Sequence, residues 1–302
     1  VDYQHAGTSL HSIWGSSGQN IFVVGDSGTI LHFNGISWES VESGGDEALY
    51  GVWGSSAADV FAVGANGLVQ HYNGTGWQRI DSGLPGTVLS GIWRNTGSRA
   101  YAAGNEVSIL SSPAESPWEI MLQQPNYSDL RGIWGSSDAN IFAVGEYGTI
   151  FRYDGATWSP MASGTVNTLY GIWGSSAENI FAVGDQGTIL HFAGSEWAPV
   201  DSGTTEMLKG IWGNSANEVY AVGENGTLLR YDGSAWIPVK TGTEELLNDV
   251  WSGKRNDIYA VSAEGSIIHG YAGFPWVLLQ PALDYNAKQG QLRGQNQLNS
   301  EK

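Results

Sequence analysis

The chain has 302 residues, 43 of them glycine and 14 tryptophan, with no cysteine and only 14% charged residues. A net charge of −17 argues against nucleic acid and anionic membrane surfaces as partners, since both select clustered Lys and Arg. Without cysteine there are no disulfides or thiolate metal sites, and no run of 18 apolar residues is present to cross a membrane as a helix. The composition is that of turn-rich, aromatic β structure with ample apolar material for a core. The chain opens on Val1 rather than Met, which points to a processed N-terminus and a secreted protein.

In chain order, Leu10, Leu49, Leu89, Leu130, Leus 169 and 208, and Leu247 each open a similar line. Four residues after each Leu stands a Trp preceded by Ile or Val, at 14, 53, 93, 134, 173, 212 and 251, in steps of 39 to 41. A second Trp follows 24 or 25 residues later in every unit, so all 14 are used. Each unit carries four strand signals, seen most clearly from Leu169 to Val200. LYGIW is predicted as the first strand, followed by a Gly-Ser-Ser turn. NIFAVG is the second, GDQG a tight hairpin in which Gly supplies positive φ, TILHF the third strand and EWAPV the fourth. No segment holds a 3.6-residue period over ten residues. Four antiparallel strands per unit of about 39 residues, seven times over, predict an all-β, seven-bladed β-propeller spanning residues 1–283. The paired Trp are expected to hold blade against blade.

Two units depart from the pattern. Blade 3 replaces Gly-Ser-Ser with Arg94-Asn95-Thr96, puts Val107 at the hairpin glycine and inserts Pro113 and Pro117. Blade 7 carries Lys254 and Arg255 in its first turn. Blade 7 has four strand signals of its own, so residues 1–6 either pair on its edge or lie over it. Residues 284–302 are polar and Gln/Asn-rich, a tail rather than a blade and a candidate segment for docking or self-association.

The pattern L-x-G-[IV]-W … [IV]-[FY]-A-V-G-x-x-G-T … [ND]-G-x-x-W, covering Leu10 to about Leu279, resembles the tryptophan-rich repeats of secreted bacterial β-propellers. It is also similar to the Asp-box propellers, a group that includes sialidases and the photosystem II assembly factor type. The resemblance implies the fold. It implies no activity: RYDGATW places Asp154 directly before Gly155, one residue tighter than an Asp box, and the Arg cluster, Tyr nucleophile and paired carboxylates of a sialidase have no counterpart.

Within a repeat, positions that vary are free to specialise. Directly after each opening Leu the residue changes almost every time: His11, Tyr50, Ser90, Arg131, Tyr170, Lys209 and Asn248. By analogy with propellers this strand lines the central channel. His11, Tyr50, Arg131, Tyr170, Lys209 and Asn248 at one channel mouth are therefore the candidate ligand or partner site, with Arg94, Arg99, Lys254 and Arg255 in the irregular loops as further partner contacts. A second ring on the third strand reads His32, His71, Ser111, Arg152, His191, Arg230 and His269. Its four histidines are too far apart, one per blade, to share a metal ion, so structural or solvent-facing roles are expected. A third ring in the hairpins reads Asp26, Ala65, Asn105, Glu146, Asp185, Glu224 and Ala263; one carboxylate per blade does not converge on an ion, and solvated turn residues are expected. Asn73 and Asn225 sit in glycosylation sequons that double as Asn-Gly turns.

No catalytic residue, metal site or cofactor emerges. The leading reading is a non-enzymatic, secreted or cell-surface propeller that binds another protein or builds a surface assembly. A multivalent lectin using the repeated Trp is the alternative, and an Asp-box-type glycosidase the third reading, which needs two unrepeated carboxylates converging at the channel mouth.

Overall fold

In a computed structural model the chain is described over residues 7–95, 99–113, 118–123, 128–253, 257–271 and 277–279. It forms seven four-stranded antiparallel sheets, each built from four consecutive strands. Blade 5 shows the unit: Leu169–Ser176, Asn179–Gly184, Ile189–Phe192 and Trp197–Val200. The first strands pack side by side around the axis, blade 7 against blade 1 included, and so form the innermost layer. Blade 3 keeps all four strands despite its irregular sequence. Residues 1–6, Lys254, Arg255 and 284–302 lie outside the described residues.

The core lies between blades. One cluster joins Trp14, Phe22, Val24 and Ile30 of blade 1 to Leu49, Val52, Val60 and Leu68 of blade 2. Each second strand is covered on both faces by this stacking, which is why it reads as the continuous apolar run Ile-Phe-Ala-Val rather than as an alternation.

Gly-Ser-Ser is not a turn. The first strand runs through it to Ser176, whose partner is Asn179, and the chain reverses at residues 177 and 178. The glycine is there for packing. A Cβ on Gly174 would lie 2.7 Å from the Trp134 ring, and one on Gly213 2.6 Å from Trp173. The same socket seats Trp14 over Gly54, Trp93 over Gly135 and Trp251 over Gly15. The first Trp of a blade thus lies on the glycine that follows the first Trp of the next blade. The second Trp reaches the other way: Trp77 meets Phe22, Trp197 meets Phe142 and Trp236 meets Phe181 at near-perpendicular angles, with centroids 5.8, 6.0 and 5.7 Å apart. The seated first Trp and these second Trp bridge blades, as expected.

The predicted hairpins form, mostly as single 3-10 turns. In Asp185–Gly187 both Gln186 (φ 54°) and Gly187 (φ 66°) are left-handed. A Cβ on Gly187 would meet the Thr204 carbonyl at 2.0 Å, so only glycine fits there.

Candidate functional site

His11, Tyr50, Arg131, Tyr170, Lys209 and Asn248 all line one cavity of about 460 Å³ in the central channel, together with Ser90. The strand geometry accounts for this: all are the second residue of an innermost strand, at the end where the hairpins and the blade-to-blade connections lie. His11 and Tyr50 pack ring to ring with centroids 5.0 Å apart. Lys209 donates from Nζ to Asn248 Oδ1 at 2.8 Å, and Asn248 Nδ2 donates to the Leu10 carbonyl at 2.7 Å.

The hairpin acids were expected to be solvated turn residues; three of them instead bond the channel ring. His11 Nε2 lies 2.8 Å from Asp26, Arg131 is bonded by Glu146 as well as by Asp129 at 3.2 Å, and Tyr170 bonds Asp185. The physical reason is the shared end of the blade: a hairpin residue fifteen positions on returns beside the start of the same blade's first strand. Burial and then the Asp185 charge push the Tyr170 hydroxyl up. Burial, and after it the Arg131 charge, lowers the Lys209 ammonium, with Glu224 opposing.

The channel is closed below this mouth. Three residues along the strand, about 10 Å deeper, Trp53 and Trp212 meet across the axis with centroids 5.4 Å apart. They come from blades 2 and 6, and their position follows from two exceptions in the repeat. The socket glycine that Trp53 would cover is Arg94, and the one Trp212 would cover is Ser252. A Cβ at that position collides with the indole, so both rings turn into the channel. Each indole N–H then donates 3.1 Å to the carbonyl of the residue that displaced it, Arg94 or Ser252. The cavity is therefore a blind cup with an aromatic floor.

At the seam between blades 7 and 1, two more exceptions meet. The innermost strands elsewhere carry a glycine two residues before Trp; blade 1 has Ser12 and blade 7 has Asp249. The half-buried Asp249 carboxylate accepts from Ser12 Oγ at 2.9 Å and from the Ile13 N–H at 3.1 Å. Burial pushes its carboxyl up to about 6, against hydrogen bonds from Ile13, Ser12 and Val250 that favour the charged form.

The remaining candidates are placed as follows. Arg94 is turned inward, 3.2 Å from Asp59 and 5.0 Å above the Phe61 ring, with only 11% of its side chain exposed. Arg99 donates to Ser111 at 3.0 Å within its own blade. The third-strand histidines stack on the second strand: His32 on Phe22, His71 on Phe61, His191 on Phe181 and His269 on Tyr259. Each is also bonded by a residue of its own blade, Asn20, Asp59, Asn179 or Asp257. Among the described residues no group of three or more acids and histidines is arranged to hold a metal ion. Among the described residues the outer Trp are buried or half-buried between blades. Two carboxylates do converge at the mouth, Asp129 and Glu146, but both are bonded by Arg131.

Sequence reasoning found the ring and missed the acids behind it, the floor and the seam. The signals were present as repeat exceptions, Trp-Arg and Trp-Ser where five blades have Trp-Gly, and Ser12 and Asp249 where five have glycine.

No family model matches the chain, and no curated protein matches it in sequence. Among solved structures it is similar to YCF48 bound to a D1 peptide, with TM-score 0.71 and 16% identity over 90% of this chain and 96% of that one. YCF48 from Cyanidioschyzon merolae gives TM-score 0.69 and 16% identity over 88% and 96%. The WD40 β-propeller domain of Doa1 gives 0.73 and 10% over 90% and 93%. At these identities the likeness is one of fold.

Proposed function

We propose that the protein is a non-enzymatic scaffold that docks a segment of a partner protein on the face where the channel opens. The observation that carries this is the ring itself: in a scaffold that repeats Leu and Trp without exception, the residues lining the cup change from blade to blade and supply His, Tyr, Arg, Lys and Asn to one cavity. A structural neighbour that binds a peptide, the YCF48 complex with a D1 peptide, supports the same use of the fold. Placement outside the cell or at its surface belongs to the proposal, supported by the resemblance of the repeat to secreted propellers.

The test is selection of displayed peptides against the full chain. Replacing Tyr50 and Tyr170 together with Ala should weaken the selected peptides by about tenfold or more. Ile36→Ser, at an exposed outer turn (91% accessible), should leave them unchanged. Equal losses in the two variants, or none in either, would remove the mouth as the docking face.

A further inference from the structure

We propose that the cup binds an amphiphilic carboxylate, its apolar body resting on Trp53 and Trp212 and its carboxylate held by Lys209 beside Arg131. This rests on the mouth being the binding face and goes further by naming the chemistry of what enters.

The floor gives the apolar half. Five first Trp are seated in glycine sockets; the two that are not are the two that close the channel. Both are half-buried, so a face of each remains for contact. A cavity of about 460 Å³ falls within the range of preformed small-molecule sites, which run to roughly 300–1,000 Å³. Aliphatic and aromatic side chains of the innermost strands make up its lower wall.

The mouth gives the anionic half. The cations lining the cup are Arg131 and Lys209, and the carboxylate of Asp249, which also lines it, is engaged by the Ser12 hydroxyl and the Ile13 N–H. Arg131 is held by two carboxylates. Lys209 forms no ion pair among the described residues; its one hydrogen bond goes to the neutral Asn248. A half-buried ammonium that has lost water and faces a second cation is stabilised by an incoming anion, in keeping with the lowering already noted. The acids behind the ring limit the charge that can enter. Asp26, Asp129, Glu146 and Asp185 would repel a phosphate dianion far more than a carboxylate monoanion.

The experiment is calorimetric titration of the full chain with 3-phenylpropionate, its neutral amide and propionate. The acid should bind about tenfold tighter than the amide and than propionate. Lys209→Met should abolish the preference for acid over amide, and Trp212→Leu the preference for phenylpropionate over propionate, each in a protein whose strand amides keep their hydrogen-exchange protection. Lys209→Arg, which restores the cation, should recover the first preference. A tetrapeptide ending in Phe with a free carboxylate then separates the two sources. Tighter binding than phenylpropionate identifies a protein chain end, weaker binding a free organic acid, and both rankings support the carboxylate site. Equal affinity for acid and amide, or an acid preference that survives Lys209→Met, overturns it. If phenylpropionate fails while displayed peptides still depend on Tyr50 and Tyr170, this inference falls and the docking face stands.

Discussion

Asp249 places a carboxylate where five blades have glycine, and its surroundings fix how it responds to pH. Its partners are neutral, the Ser12 hydroxyl and the main-chain N–H groups of Ile13 and Val250. The folded protein therefore holds this proton up to about pH 6, whereas the unfolded chain releases it near 3.8. Between those values the folded state binds more protons, so this group's contribution to stability falls as pH rises through the window, by roughly 2–3 kcal/mol in all. Asp249→Asn should remove that slope. Urea unfolding of both proteins at intervals from pH 4 to 7 should show curves that converge or diverge across the window; curves that stay parallel would show that the carboxyl is not shifted. Asp232, held down to about 2 by hydrogen bonds from Ala235 and Ser234, acts in the opposite sense at lower pH and is common to both proteins.

At the scale of strands and blades, the repeat is a packing code as well as a folding code. Gly174 and its equivalents read as turn glycines because glycine and serine punctuate turns. They serve instead as sockets for a neighbour's indole, a contact between blades that no single unit's sequence contains. The strands, their order and the blade count were legible because each unit repeats its apolar runs and six of the seven keep the hairpin glycine. The channel floor was not legible by periodicity, because it arises where periodicity fails, at Arg94 and Ser252. If those two residues hold Trp53 and Trp212 in the channel, restoring the repeat should free them. The double variant Arg94→Gly, Ser252→Gly should seat both indoles and open the channel. Two indoles 5.4 Å apart couple as an exciton pair, so their paired circular dichroism bands should be lost in the double variant. Retention of those bands would mean that the Trp pair is set by other contacts. The hairpin acids illustrate the same limit: Asp26 and His11 are fifteen residues apart, and only the folded blade shows that they share one end.

Across the whole molecule, among the described residues, blade 7 is built from its own four strands, as every other blade is. The seam is joined by the Asp249 and Asn248 hydrogen bonds to the start of blade 1 and by Trp251 packed over Gly15. The innermost strands then present a channel mouth in which the non-repeating side chains gather. The measurement that bears most directly on this reading is hydrogen exchange of the full chain with and without a selected partner peptide. Slowed exchange is expected over residues 48–52, 129–133, 168–172 and 207–211, which start the innermost strands at the mouth. Protection confined to the outermost strands and their turns, such as 34–40 and 193–200, would contradict docking at the channel.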